Sequence, residues 1–413
     1  MNNKSITVSQ SQSAIAWHRL KKNKLAMFGL IIISAFIVIA MLGFLITPDS
    51  TPDANEQLLE ISKQSPGFSV QMLLVRKNEE PHHVNFLTRM MYGQISDYRS
   101  VPIADYHFQA SDIVYHEFSS AKKHISFEKK INIADVAFAL QDNTPVNYNQ
   151  ATQQLQFFEK GCNAPTIKTI SEIQNLITQN NIKTRTFYLG TDPAGRDLLS
   201  RLMIGTRVSF SVGFISVFIS LLIGVSLGSL AGYFRGRLDN IIIWIINVVW
   251  SIPTLLLVIA ITLALGKGFW QVFVAVGLTM WVEVARVIRG QVMSLREKEF
   301  IEAARALGFS HFRIIARQIL PNVMGPVIVI SAANFASAIL IEAGLSFLGI
   351  GAQPPTASWG QMINAHRGFI IGHSPYLAIL PGIAIMLMVL SFVLLGNGLR
   401  DALDTKLKDN AMI

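Results

Sequence analysis

The stretch Glu302-Ala303-Ala304-Arg305-Ala306-Leu307-Gly308-Phe309-Ser310, running on to Gln318-Ile319-Leu320-Pro321, decides how the rest of the chain is read. It lies between two long apolar segments and belongs to the longest basic stretch among them. Residues 302–307 all favour helix, so a short helix is predicted there. Gly308 is placed to end it in a left-handed C-cap. Ser310 is placed to cap a second helix, with Phe312, Ile315 and Ile319 on one face and Arg313 and Arg317 beside them. Pro321 marks entry into the next apolar segment. The expectation is two short helices at a sharp angle, lying on a membrane surface.

Outward from this stretch the composition is that of a membrane protein. Of 413 residues, 51% are hydrophobic and only 15% charged. Apolar runs at 25–46, 204–233, 241–265, 270–288, 323–348 and 377–395 approach the roughly 20 residues that cross a hydrocarbon core of about 30 Å. The first follows Arg19, Lys21, Lys22 and Lys24 and has no small-residue cleavage site after it, so it reads as an uncleaved membrane helix rather than a signal peptide. The connections alternate in charge. Arg235 and Arg237 occupy one, Arg289, Arg296, Lys298, Arg305, Arg313 and Arg317 another, and Arg400, Lys406 and Lys408 the tail. Lys267 and Arg367 are the cations of the opposite connections. The positive-inside rule then gives six helices with both ends cytoplasmic. The net charge of +9 follows this topology and does not call for nucleic acid. One cysteine, Cys162, excludes an internal disulfide and a thiolate metal cluster.

The fold class expected is an all-α polytopic membrane protein with six transmembrane helices and a small α+β extracytoplasmic insert after the first. The layout is a cytoplasmic tail 1–24, a first transmembrane helix 25–47, the insert 48–187, a five-helix core 188–400 holding the loop 289–321 on the cytoplasmic side, and a cytoplasmic tail 401–413. Within the insert, 68–75 and 100–115 read as extended. Residues 167–179 read as an amphipathic helix with Ile170, Ile173 and Ile177 in line. His82, His83, His107, His116 and His124 are scattered there without ligand spacing, which argues against metal.

The opening stretch resembles the cytoplasmic EAA loop of binding-protein-dependent ABC transporter permeases. The family pattern is Glu-Ala-Ala, three residues, Gly, nine residues, then Ile-x-Leu-Pro. Glu302, Ala303, Ala304, Gly308, Leu320 and Pro321 match it, and Gln318 departs where the pattern has Ile. A second stretch, Leu189-Gly190-Thr191-Asp192-Pro193-Ala194-Gly195-Arg196-Asp197, resembles the dipeptide, oligopeptide and nickel subgroup. It also imitates a phosphate-binding loop through Gly190 and Gly195, but Arg196 and Asp197 stand where Lys and Ser or Thr are needed. The runs Glu342-Ala343-Gly344-Leu345-Ser346-Phe347-Leu348-Gly349 and Pro354 to Trp359-Gly360 are similar to the same subgroup.

The resemblance implies a permease subunit of an ATP-driven importer in a bacterial inner membrane, passing di- or oligopeptides, or else nickel or another small solute. It implies a second, related permease, two ATPase subunits docked on the EAA loop, and an extracytoplasmic binding protein. No cofactor is expected in this chain, ATP and magnesium belonging to the ATPases, and no catalytic residue. Other readings stay open: a membrane-anchored sensor or scaffold, a secondary transporter, though no inverted repeat is evident, and an outer hydrolase, though no nucleophile elbow is present near His116, Ser119 and Ser120.

Local expectations complete the reading. Gly224, Gly228 and Gly232, with Ser220, make a face on which another helix can approach closely. Pro253 is expected to kink the third helix. Glu283 is expected to pair with Arg286 one turn on. Glu342, deep in an apolar segment, is a candidate for the translocation path or for a hydrogen bond between helices. Trp359 is expected to anchor a rigid loop at the membrane interface.

Overall fold

A computed structural model describes residues 12–82, 84–119, 128–266, 268–372 and 374–403. His83, Ser120, His124, Lys267, Lys406 and Lys408 lie outside the described residues. In chain order run α1 (Gln12–Lys22), α2 (Lys24–Leu42), β1 (Phe68–Arg76), α3 (Phe86–Tyr92), β2 (Tyr98–Gln109), β3 (Asp112–Glu117), β4 (Glu128–Asn132), α4 (Ile133–Ala137), β5 (Asn147–Asn149), β6 (Gln154–Phe157), β7 (Thr166–Thr169), α5 (Ile170–Leu176) and β8 (Ile182–Phe187). Then come α6 (Leu198–Phe234), α7 (Gly236–Trp250), α8 (Thr254–Leu265), α9 (Phe269–Arg296), α10 (Glu299–Ala306), α11 (His311–Ile314), α12 (Leu320–Phe347), α13 (Trp359–His366) and α14 (Tyr376–Leu403). The chain divides into two compact units, one within Met1–Ala40, Thr206–Gly368 and Ala378–Ile413, the other Met41–Gly205 with Phe369–Leu377.

The first unit is helical. Among the described residues, five helices are long and apolar enough to cross a membrane: Lys24–Leu45, Leu198–Phe234, Phe269–Arg296, His311–Phe347 and Tyr376–Leu403. A sixth crossing requires α7 and α8 to count as one span, and these are bent by 91°. The expected kink at Pro253 is therefore a full break. Pro253 begins α8 as its N-cap, and the Val249 carbonyl that loses its helical donor accepts from the Ile252 N–H at 3.3 Å. The glycine face meets α9. A Cβ on Gly224 would lie 2.5 Å from that of Val284, and one on Gly228 2.5 Å from the Ala285 carbonyl oxygen. Asp239 on α7 clamps Arg289 on α9 through two bonds of 2.6 and 2.7 Å, a planar fork-to-fork match.

The second unit is α+β. Its five-stranded sheet has the order β4-β3-β2-β1-β8, and β5-β6-β7 form a smaller sheet. All pairings are antiparallel, with Gln71 opposite both Ile103 and Thr184. The stretch 100–115 is not one strand but a hairpin, turning at Ala110, whose φ is 52°. β1 is buried on both faces. Leu73 and Val75 enter a core with Ile103, Ile113, Ile170 and Ile173, while Val70 and Met72 face Leu58, Ile61 and Phe187. The helix predicted at 167–179 starts three residues late, because Thr166–Thr169 is strand, and Thr169 then closes a capping box with Glu172.

Residues 188–205, which include the first turns of α6, fall in this unit. Polar bonds hold them there. Leu58 N–H donates to the Ala194 carbonyl at 3.1 Å, Lys63 N–H to that of Asp192 at 3.1 Å, and Asp49 N–H to Ser200 Oγ at 2.9 Å. The fully buried Asp192 accepts from the Ala194 and Arg196 N–H groups and from Arg196 Nε, at 2.8, 3.0 and 2.6 Å. The loop that imitates a phosphate cradle thus spends its backbone donors on its own aspartate.

Candidate coupling site

α10 ends at Gly308, whose φ is +72°. The Gly308 N–H donates to the Arg305 carbonyl at 2.9 Å and the Phe309 N–H to that of Ala304 at 3.1 Å. This pair of crossing bonds is a Schellman motif, and it satisfies the orphan carbonyls of the helix end. Ser310 then caps α11, its Oγ accepting from the Arg313 N–H at 3.4 Å. Beyond α11 the chain passes without a break through a π turn, Ile315–Ile319, into α12, with Pro321 just past that turn.

The elbow has a buried side and an open side. Ile301, Ala304, Ile314 and Ile319 join Ile288, Val292, Val323 and Tyr233 in one apolar cluster. Glu302, Ala303, Gly308 and Pro321 are exposed, and Leu320 is half-buried. Leu307 is 73% exposed and Phe312 81%. Phe312 is therefore not on the face it was expected to share with Ile319. Ile314 takes that place, because the π turn shifts the register between α11 and α12.

Tyr233, at the end of α6, organises the cations around the elbow. Its hydroxyl lies 3.0 Å from His311 Nδ1, and the Arg305 and Arg296 guanidinium groups sit 5.5 and 5.8 Å from its ring centre. Arg235 reaches Glu297 at 2.7 Å. Sequence reasoning passed over Tyr233 and His311. The available signal was an aromatic residue ending an apolar run next to paired arginines.

Glu342 is buried, with 2% exposure. Its Oε1 accepts from Ser346 Oγ, on the same helix, and from Ser358 Oγ, which caps α13, both at 2.7 Å. Ser346 Oγ in turn accepts from the Ala352 N–H at 3.1 Å. Trp359 follows Ser358 and is fully buried, with its ring 5.8 Å from that of Phe36. It is a core residue, not an interfacial anchor: α13 lies against α12 so closely that Gly360 packs on the Ala343 backbone.

The comparisons with known proteins fall on these same elements. Residues 224–409 match the family described as binding-protein-dependent transport system inner membrane component, and residues 11–66 that described as the N-terminal TM domain of oligopeptide transport permease C. The glutathione transport system permease protein GsiD of Pectobacterium atrosepticum is 43% identical over 221 residues, 54% of this chain and 73% of that one. The chain belongs to this permease family. The dipeptide transport system permease protein DppC of Bacillus subtilis is 41% identical over 235 residues, 57% of this chain and 73% of its own. The chain is thus a transport subunit rather than an enzyme.

In this permease a cavity of about 320 Å³ lies at the break between α7 and α8, lined among others by Trp250, Thr254, Thr279, Glu283 and Ser337. Glu283 is exposed into it and, among the described residues, forms no ion pair with Arg286. Arg286 instead stacks on Trp250, 3.6 Å from the ring centre. A planar cation on an indole face competes well with a solvated ion pair worth well under about 1 kcal/mol. In the insert, His116 bonds Asp105 at 2.6 Å, and no group of three or more metal-ligating side chains occurs among the described residues.

Proposed function

We propose that this permease is one of two membrane subunits of an ATP-driven importer of short peptides, with its relatives named for dipeptide and glutathione transport as the support for the substrate class. Glu302, Ala303, Ala304, Gly308, Leu320 and Pro321 form the dock for a separate ATPase subunit. The observation that carries this role is the elbow itself: a buried anchor of Ile301, Ala304, Ile314 and Ile319 beneath exposed Leu307 and Phe312. Such an element moves as a rigid lever and offers apolar contact to a partner. ATP binding in the partner biases the membrane helices between two states, and the lever transmits that bias. The reading includes a related second permease, a substrate-binding protein on the outer face, and six spans with both termini and the elbow in the cytoplasm of a bacterial cell.

Gly308→Asp tests the lever. Nothing lies within 4 Å of a Cβ at Gly308, so the substitution meets no obstacle. It instead puts a side chain on a residue held in the left-handed region, at a cost of up to about 1–2 kcal/mol, and so re-aims α11. Peptide uptake is expected to fall to background with the permease present in the membrane at wild-type levels. Undiminished uptake would remove the coupling role. Labelled dipeptide and nickel, measured in parallel in cells with and without the chain, test the substrate class.

Glu342 serves in this reading as a brace between α12 and α13, supported by its two serine bonds. Glu342→Gln keeps an acceptor for the serine donors and removes the charge. Uptake close to wild type is expected, and a loss of uptake with unchanged thermal stability would place the carboxylate on the translocation path.

A further inference from the structure

Helix α3 lies in the insert, yet it buries none of its residues. Around it Val84 is 39% exposed, Phe86 66%, Leu87 65%, Tyr92 67% and Ile95 48%. Single exposed apolar residues are ordinary, but a run of them on one short element marks a contact surface. Nor is the helix a loose flap. Its last turn is closed by the Gly93 N–H donating to the Arg89 carbonyl at 3.0 Å, and the next residue, Gln94, donates to the Ser50 carbonyl at 2.9 Å. Gly93 sits so close to this strand of chain that a Cβ there would lie 2.6 Å from the Ser50 oxygen.

What α3 is pinned against identifies its partner. It packs on Gly43–Leu45, the 3-10 turn that finishes the span Lys24–Leu45. Leu42 and Ile46, on either side of that turn, are 37% and 42% exposed. The end of a spanning helix lies at the boundary between hydrocarbon and headgroups. The exposed apolar side chains of α3 therefore continue an apolar surface already committed to lipid. Its composition suits that depth: Phe86 and Leu87 for the acyl boundary, Tyr92 with one apolar and one wet end, and Arg89 with a long stem and a cationic head. The same unit repeats the arrangement just ahead of another span, α14, where Ile370 is 47% and Ile371 99% exposed.

We propose that α3 is an interfacial anchor that lies in the surface layer of the bilayer beside the end of the first span, holding the insert against the membrane. Its ligand is the phospholipid interface, through the apolar side chains of Phe86, Leu87 and Tyr92 and the cation of Arg89.

Cys162 is exposed and is the chain's single cysteine, which makes the test direct. The full-length permease is spin-labelled at Leu87→Cys on a Cys162→Ser background and placed in phospholipid nanodiscs. Collisions with oxygen, which concentrates in lipid, are compared with collisions with a water-soluble nickel chelate. Native chain labelled at Cys162 supplies the aqueous reference, and Tyr92→Cys a second site on α3. The expected result is that oxygen gains over the chelate at both α3 sites relative to Cys162. Chelate access equal to that at Cys162 would place α3 in water and overturn the proposal. Low access to both reagents would mean that protein covers the helix, a second subunit or another part of the chain, and would overturn it equally.

Discussion

In the helical unit, α6 meets α9 across Gly224, Gly228 and Gly232, where hypothetical Cβ atoms fall 2.5 to 2.7 Å from atoms of α9. In the insert, α5 and the turn that follows it meet the sheet through Ile170, Ile173 and Ile177, all buried at 6% exposure or less. One contact is made by leaving side chains out and the other by putting large ones in. The difference follows from the solvent. A leucine gains little by moving from lipid to a helix interface, so membrane helices gain from close backbone approach and dispersion. The insert's core gains from removing apolar surface from water, roughly 25 cal/mol per Å². Adding atoms should therefore harm the first contact, and deleting them the second.

The largest effect is expected from adding atoms at Gly228. What a Cβ there would meet is the backbone of Ala285, its carbonyl oxygen at 2.5 Å and its Cα at 3.0 Å, and backbone cannot rotate aside. Gly228→Leu is expected to separate α6 from α9 and abolish recovery of folded permease from membranes. Gly290, on α9 with nothing within 4 Å of its Cβ position, is the matched control. Gly290→Leu should be recovered normally, and equal losses at both sites would break the distinction.

Deletion in the insert comes next. Ile173 is fully buried between α5 and the sheet. Ile173→Ala should destabilise the insert by about 2–5 kcal/mol, the transfer and cavity terms together. Limited proteolysis across a urea series reads this out. A loss below about 1 kcal/mol would mean that the insert is not held by a water-excluded core in the way the comparison requires.

How far the sequence could be read tracks the range of the interactions. The cap at Gly308, the Ser310 N-cap and the apolar line of Ile170, Ile173 and Ile177 depend on residues within one or two turns, and they were legible. Arg286 was misassigned because i,i+3 spacing reports who is near in the chain, while the stack on Trp250 comes from another helix. Trp359 looked interfacial because tryptophan often is, and only the approach of Gly360 to Ala343 puts it inside. The hairpin in 100–115 carries no glycine at its turn, only Ala110 held at φ 52°, so nothing local announced it. The break at Pro253 was foreseen as to place but not size, since a proline removes one bond and the surrounding packing sets the 91° angle.

The smallest effects sharpen the comparison at the insert's wet surface. Thr169 Oγ1 accepts from the Glu172 N–H at 3.3 Å, and the Thr169 N–H donates to Glu172 Oε2 at 3.1 Å. Thr169→Ala should destabilise α5 by about 1 kcal/mol. The returning bond from the Thr169 N–H also holds the Glu172 carboxyl below its usual range. A depressed folded-state pKa stabilises the fold at pH above the unfolded value, and the contribution is lost as pH falls through the folded value. Glu172→Gln, neutral at every pH, should therefore melt slightly below wild type at neutral pH and together with it once the solution is more acidic than the carboxylate range. A gap between the two that persists unchanged into acid would mean that Glu172 acts by packing and not by charge. The insert would then rely on shape even at its surface, as the glycine face of α6 does, and the contrast between the units would narrow.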